Sequence, residues 1–159
     1  IKFKIFKNQN FVEYSMLGIN YLKDISKIIK KNSGGLLLID YGYTDKRMKN
    51  TLQAVSNHKF ANILDNIGNV DITHNINFNL FREITKKIGG LSCSLTTQKK
   101  FLIKMGIIQR AEIISKKKNF LKKADIYYRL KRLIDDKQMG SLFKVMLIKN
   151  KKHKFKFGF

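Results

Sequence analysis

The stretch Gly34-Gly35-Leu36-Leu37-Leu38-Ile39-Asp40-Tyr41-Gly42-Tyr43 carries the strongest fold signal in the sequence. Its apolar residues follow one another without alternation, which indicates a strand buried on both faces, as in a parallel sheet covered by helices. This strand is expected to end at an acidic turn that begins with Asp40. Because ligands of open α/β sheets bind beyond the carboxyl ends of the strands, Asp40 and Gly42 are expected to lie at a functional edge.

An amphipathic helix is predicted before this strand, from Leu17 to Lys31. Its apolar residues recur at steps of three and four, with lysines on the opposite side. They are Leu17, Tyr21, Leu22, Ile25, Ile28 and Ile29. The order of helix, Gly-Gly pair, buried strand and turn predicts an α/β fold. Near the start of the chain, residues 1–6 alternate apolar and other side chains, which predicts a short half-buried strand.

After the strand, the segment from Tyr43 to Asn77 has weak periodicity and many Asn, Asp, Gly and Thr residues. It is predicted to be a long excursion with one short helix near Thr51–His58, and loops of such length usually carry function. Four further helices and two strands are expected beyond it. The helices are Asn79–Lys87, 97–104, Ile107–Lys117 and Phe120–Ile134, and the strands are Leu91–Leu95 and Leu142–Ile148. The tail to Phe159 is expected to be peripheral.

Composition favours one ordinary domain with a hydrophobic core, since the chain has 159 residues of which 43% are hydrophobic. The roughly 20 consecutive apolar residues that cross a bilayer do not occur, so we expect a soluble protein. Cys93 is the single cysteine, which excludes an internal disulfide, offers no paired-cysteine metal site and fits a reducing compartment. Ile1 in place of Met leads us to expect a fragment or a processed product.

The formal net charge of +22 has two interpretations. A basic nucleic-acid-binding module is one, because clustered cations release counterions from phosphate backbones. Compositional drift is the other, and we favour it because only five of the 33 basic residues are arginines, the residue suited to bidentate phosphate and base contacts. The lysines are also spread along the whole chain. Nucleic acid is therefore not the expected partner.

Asp40 is the best candidate for chemistry among the polar residues, because a carboxylate at a strand end can accept hydrogen bonds from a cationic or amide substrate. The competing interpretation, that Asp40 only caps the following turn, has about equal weight. His58 and His74 are more consistent with solvated or structural positions. Asp71-Ile72-Thr73 reads equally well as a turn whose side chains bond their own backbone. The sequence has no glycine-rich phosphate loop and no metalloprotease motif.

Five segments, in order, resemble the C-terminal half of the MidA-like methyltransferases over about Phe11 to Asn150. They are Gly34 to Tyr43 with its DYG turn, Thr51-Leu52-Gln53-Ala54-Val55 through His58-Lys59-Phe60, Asp71-Ile72-Thr73 with Phe78, Gln98 with Phe101-Leu102 and Met105-Gly106-Ile107, and Met139-Gly140-Ser141-Leu142-Phe143-Lys144-Val145. The family includes the mitochondrial complex I assembly methyltransferase. Each match alone is weak, but five in the right order are specific.

This resemblance implies the C-terminal half of a Rossmann-like class I methyltransferase sheet, with helices on both faces and a long inserted loop region. It implies S-adenosylmethionine as cofactor and arginine N-methylation of a protein, linked to respiratory complex I assembly. Asp40 would be the catalytic residue that orients a guanidinium, since carboxylates bind this group bidentately. Tyr41, Gly42, Asp71 and Thr73 would contact the substrate. The implied compartment is a bacterial cytoplasm or the mitochondrial matrix.

The family's glycine-rich cofactor loop and its N-E-F-F-D segment have no counterpart in residues 1–159. We therefore expect the whole chain to be the C-terminal portion of a single methyltransferase domain without its cofactor-binding portion, and assign no cofactor-binding residue. A fragment, a split enzyme with a separately encoded N-terminal half and an inactive remnant all fit. Three departures affect polar positions, with Asn62 and Asn77 standing where the family has Asp, and Asn75 where many members have His.

Overall fold

A mixed four-stranded sheet and a separate three-stranded sheet organise the chain in the computed structural model, which describes residues 8–159. The helices are α1 (Met16–Asn32), α2 (Phe78–Ile88), α3 (Gln98–Lys104), α4 (Ile107–Ser115), α5 (Phe120–Ile134) and α6 (Met139–Leu142). The strands are β1 (Gly35–Tyr43), β2 (Gln53–Ser56), β3 (Lys59–Ala61), β4 (Asp71–Thr73), β5 (Ile76–Asn77), β6 (Leu91–Thr97) and β7 (Phe143–Asn150). The strand predicted over residues 1–6 lies outside the described residues.

The larger sheet has the strand order β5-β1-β7-β6. β7 is antiparallel to both β1 and β6, and β1 is parallel to β5 only at Gly42 and Tyr43. The predicted α/β class with helices on both faces is confirmed. The prediction that β1 lies in a parallel sheet is wrong, because β7, which pairs with most of its length, is antiparallel to it. β1 also continues past Asp40 to Tyr43, because its last two residues pair with β5.

The prediction that β1 is buried on both faces is also wrong for the described residues. Leu36 and Leu38 pack against the hydrophobic core, whereas Leu37 is 47% and Ile39 is 48% exposed. Successive side chains of a strand point to opposite faces, so this alternation means that one face of β1 is covered more completely than the other. A run of leucines and isoleucine cannot reveal this difference, because it is apolar on both faces.

The covered face of the sheet packs against α1 and α2. α1 begins at the N-cap Ser15, whose Oγ accepts a hydrogen bond from the backbone N–H of Gly18 at 3.0 Å. Ile19, Leu22 and Ile29 of this helix are buried. The predicted helix is confirmed, but four of the six residues of its predicted stripe are exposed, including Ile25 at 36%. Leu17, Tyr21 and Ile28 are each 58–61% exposed on a neighbouring flank of the helix.

The predicted excursion between β1 and α2 is a folded subdomain, and the helix expected near Thr51–His58 is wrong. β2 pairs antiparallel with both β3 and β4 in the smaller sheet. Between β2 and β3, Asn57 and His58 have φ of 50° and 60°. Two consecutive positive φ values are the geometry of a tight hairpin turn, so this turn sets the register of β2 against β3.

The second face of the larger sheet is covered by α3 and the C-terminal tail rather than left bare. A cavity of about 320 Å³ beside Leu147 is lined by Phe101 of α3, by the C-cap Met105 of that helix, and by Phe155 and Phe159. The Lys149 ammonium, which is 5% exposed, donates hydrogen bonds to the carbonyl oxygens of His153 and Phe155. The expectation of a peripheral tail is therefore wrong, because its aromatic residues pack against the sheet.

The predictions for α2 to α5 and for β6 and β7 are confirmed, with boundaries shifted by up to two residues. The predicted cap is also correct, since Thr97 Oγ1 accepts a hydrogen bond from the backbone N–H of Lys100 at 3.3 Å. Among the helices between residues 8 and 159, none combines the length and apolar character that crossing a bilayer requires.

Candidate functional site

Asp40 lies half-buried near the carboxyl end of β1, in register with Lys144 of β7. Its Oδ1 accepts a hydrogen bond from the backbone N–H of Tyr41 at 2.8 Å. No ion pair of Asp40 with a cation occurs in the part of the chain that the structure describes. One carboxylate oxygen therefore has a local backbone partner, and the other is available to a further donor.

Tyr41 and Gly42 are held by packing against neighbouring strands and helices. The ring of Tyr41 contacts the ring of Phe143 edge-on, with centroids 5.8 Å apart. Gly42 is buried, and a Cβ atom at this position would lie 2.2 Å from the carbonyl oxygen of Ile76 and 2.9 Å from Phe78 Cε2. The close approach of β5 therefore requires glycine at position 42, and this requirement is independent of any contact between Gly42 and a substrate.

Asp71 and Thr73 lie on β4 of the smaller sheet. Thr73 Oγ1 accepts a hydrogen bond from Gln53 Nε2 at 3.2 Å, and Asp71 is exposed in register with Val55. Within residues 8–159, no hydrogen bond or ion pair joins either residue to Asp40. The structure therefore places Asp40, Tyr41 and Gly42 together on β1, and Asp71 and Thr73 together on a second sheet.

Glu13, whose side chain is 11% exposed, connects the segments that precede β2 and β5, and sequence reasoning did not assign it a role. Glu13 Oε2 and Oε1 accept hydrogen bonds from the backbone N–H and the hydroxyl of Thr51, at 2.8 Å and 2.7 Å. The same Thr51 hydroxyl accepts a hydrogen bond from the backbone N–H of Asn75 at 2.8 Å. His74 Nδ1 lies 3.6 Å from Glu13 Oε1. This network fixes the start of the smaller sheet, and His74 has the structural position favoured from the sequence.

Lys144 is a second residue to which sequence reasoning gave no role. A cation at the start of an otherwise apolar strand is the sequence pattern that could have indicated it. Its ammonium donates hydrogen bonds to the carbonyl oxygens of Ser141 and Leu142. Burial lowers the pKa of this ammonium, while the nearby Asp45 carboxylate acts in the opposite direction. A half-buried cation therefore lies across from Asp40 on the next strand.

Two of the other polar candidates have plain structural explanations. His58 belongs to the β2–β3 turn. Asn77, which the resemblance predicts to replace an Asp, is the N-cap of α2, and its Oδ1 accepts a hydrogen bond from the backbone N–H of Leu80 at 3.1 Å. Loss of the charge at position 77 therefore leaves the cap in place. In the described ranges, the His, Cys, Asp and Glu side chains form no group of three suited to a metal ion.

Comparison with solved structures supports this fold. An uncharacterised protein from Burkholderia thailandensis superposes with a TM-score of 0.73 at 21% identity, over 91% of this chain and 40% of its own. A member of the same superfamily from that organism, bound to S-adenosyl-homocysteine, superposes with a TM-score of 0.71 at 23% identity, over 89% of this chain and 38% of its own. At these identities the likeness establishes the fold.

Curated relatives are similar over most of this chain. The mitochondrial protein arginine methyltransferase NDUFAF7 of Xenopus tropicalis is 29% identical over 77% of the chain, and that of Danio rerio is 24% identical over 81%. The chain matches only 28% and 30% of the lengths of these two relatives. A family model described as "putative S-adenosyl-L-methionine-dependent methyltransferase" matches residues 2–97. Because this match covers more than half of the chain, the protein belongs to that methyltransferase family.

Proposed function

We propose that this chain is the C-terminal part of an S-adenosylmethionine-dependent protein methyltransferase, and that it works when further strands complete its sheet along β1. Family membership supports the reaction class. The names of the relatives support a protein arginine as acceptor, and a respiratory complex I subunit is the candidate substrate. These relatives are mitochondrial by name, so a mitochondrial matrix or a bacterial cytoplasm is the proposed location.

The observation that carries this proposal is the open edge of β1. Gly35–Tyr41 pairs with β7 on one side, while the other side has no partner strand among residues 8–159. Unpaired backbone groups along an edge are a template for another strand. Beside this edge, Leu37 and Ile39 are half-exposed, and so are apolar residues on one flank of α1. Leu37 and Ile39 lie on the face of the sheet opposite α1, and exposed apolar surface of this kind marks a place where further polypeptide packs.

The residues of this chain do not by themselves fit the cofactor. Rossmann-like proteins hold charged cofactors with a glycine-rich loop that leads into a helix, and no such loop precedes a helix between residues 8 and 159. We therefore assign cofactor binding to the strands that would complete the sheet, and expect the chain alone not to bind S-adenosylmethionine appreciably. When bound there, the cofactor would supply the methyl group from its sulfonium.

The acceptor side is assigned to this chain. Asp40 would orient a guanidinium through its free carboxylate oxygen, so that the acceptor nitrogen faces the methyl group. Tyr41 and Gly42 would shape the same strand end, and Asp71 and Thr73 would contact the substrate from the smaller sheet. Positioning of this kind is the main contribution that a protein makes to a transfer between two bound molecules.

Reconstitution tests the proposal. The chain would be mixed with the part of the S-adenosyl-homocysteine-bound Burkholderia protein that its match does not cover, and transfer of labelled methyl groups to arginine-containing protein would be measured. We expect transfer only from the mixture. Ile39→Lys adds a charge to the half-exposed face of β1 and should abolish the complex while leaving the melting temperature of the chain nearly unchanged.

Ile113→Lys is the matched control, because Ile113 is also apolar and exposed but lies on α4, away from the edge of β1. Equal loss in both variants would contradict the assigned interface. A stable complex without any methyl transfer would favour the alternative of an inactive remnant.

A further inference from the structure

A small cationic cavity lies at the same end of the larger sheet as Asp40. It has a volume of about 330 Å³ and lies beside the carboxyl end of β6, the start of β7 and the residue after β1. Its cations come from three different elements, and threonine hydroxyl groups are also part of its lining. The polar lining consists of Arg82, Lys100 and Lys144 with Thr44, Thr96 and Thr97.

The cations of this cavity have no carboxylate partners in the described part of the chain. One Nη of Arg82 donates to the neutral amide oxygen of Asn79 at 2.6 Å, and its buried Nε has no hydrogen-bond partner there. Lys144 is bonded to backbone carbonyls only. Arg82 and Lys144 are partly buried, whereas Lys100 is exposed. Partly buried charges are normally paired, so the two partly buried cations of this cavity lack their counter-charge.

The nearest acidic residues do not supply that charge. Asp45 forms an ion pair with Lys49 at 2.5 Å, and Asp40 is bonded to the backbone N–H of Tyr41. Asp45 does act on Lys144 through space, but burial is the larger influence and lowers the pKa of that lysine. The cavity therefore favours an anion that comes from outside the chain.

We propose that this cavity binds the carboxylate of an acidic residue in the protein substrate, a few positions from the methyl-accepting residue. Assigning the ligand to the substrate rests on the proposed function. Lys144 pairs in register with both Asp40 and Thr97, so the cavity begins one strand away from the group that would orient the acceptor. Strands lie about 4.8 Å apart, and an extended peptide advances about 3.3 Å per residue, so about one to three residues separate acidic residue and acceptor.

Size and charge together select this class of ligand. The cavity is at the lower limit of the volumes that hold whole ligands, which fits one acidic side chain better than a nucleotide. Its charge excludes the accepting guanidinium itself. Hydrogen bonds from cations to a carboxylate are about twice as strong as neutral ones, so the acidic residue would fix the register of the peptide.

Peptide binding to the isolated chain tests this inference without requiring methyl transfer. Two fluorescent peptides would be compared by anisotropy, identical except for Glu or Gln two residues after a central Arg. We expect the Glu peptide to bind about tenfold more tightly, since Gln offers these cations no charge-assisted hydrogen bond. Equal binding of the two peptides would overturn the proposal.

Variants and a competitor locate the site. Lys100→Gln and Arg82→Gln should each remove the preference for Glu, whereas Lys123→Gln, an equal loss of charge on exposed α5, should keep it. Because Lys100 is exposed, we expect Lys100→Gln to fold normally, and this variant tests the site even if Arg82→Gln fails to fold. Stronger competition by inorganic phosphate than by the Glu peptide would overturn the carboxylate assignment. A preference for Glu without methyl transfer in the reconstituted enzyme would keep this site and contradict the proposed function.

Discussion

Asp40 has a local partner and a free oxygen, so its two interpretations predict different results. In the reconstituted enzyme, Asp40→Asn keeps the size of the side chain but removes the charge that would orient a guanidinium. We expect methyl transfer to fall roughly ten- to a hundred-fold, for a loss of about 1.5–3 kcal/mol, with little change in melting temperature. Full activity with a lowered melting temperature would mean that Asp40 only caps the backbone of Tyr41.

Gly42 is fixed by space rather than by backbone conformation. Gly42→Ala would place its Cβ against the carbonyl oxygen of Ile76, which belongs to the backbone and cannot move aside as a side chain would. Overpacking of this kind typically costs about 1–3 kcal/mol, and we expect the pairing of β1 with β5 to open first. Urea denaturation measures the cost, and hydrogen exchange at Asn77 and Phe78 reports the opening. An unchanged midpoint would show that β5 is not held as described.

Cys93 is expected to be a slow nucleophile. Burial raises the pKa of its thiol to about 11, against the opposing charges of Arg82 and Lys86. Because the thiolate is the reactive form, alkylation of the folded chain by iodoacetamide should keep accelerating up to pH about 11. In urea the rate should level off near pH ~8.5, the usual pKa of a free thiol. The folded state holds the thiol proton more tightly than the unfolded state does. The contribution of this proton to the free energy of unfolding is therefore complete below pH ~8.5 and is lost as the pH rises toward about 11.

Lys149 bonds the C-terminal tail to β7, in addition to the aromatic packing of the tail. Lys149→Met keeps the buried aliphatic length but removes the hydrogen bonds to the carbonyl oxygens of His153 and Phe155. We expect a lower melting temperature and faster tryptic cleavage of the tail, since each charged hydrogen bond is worth about 1.5–3 kcal/mol. Lys151→Met, at an exposed position nearby, is the control and should change neither. Equal tryptic rates in both variants would contradict the role of Lys149.

Elements with a clear period were predictable from the sequence, and those defined by turns were not. α5 has the predicted boundaries because its periodicity is undisturbed between the N-cap Asn119 and Asp135. β2 was mistaken for a helix because four residues are too few to show a period of two, and its hairpin depends on positive φ at Asn57 and His58. Neither residue is the glycine that usually signals such a turn.

At the scale of the whole molecule, the sequence indicated the α/β class. It did not indicate which faces of β1 are covered, because burial depends on what packs there and not on the strand itself. The cationic cavity was also missed. Arg82, Lys100 and Lys144 are separated along the chain and lie on α2, α3 and β7, so only the packing of the two helices against the sheet brings them together.

The open edge of β1 also bears on how copies of this chain behave toward each other in solution. A short, uncharged, apolar segment at a free edge is the kind of sequence that recruits identical segments into aggregates. Here every copy carries a formal net charge of +22, so approaching copies repel before their edges meet. The many lysines thus keep copies of the chain apart and oppose aggregation. This protection weakens as salt shortens the range of repulsion to about 10 Å at 0.1 M, so light scattering should rise with ionic strength.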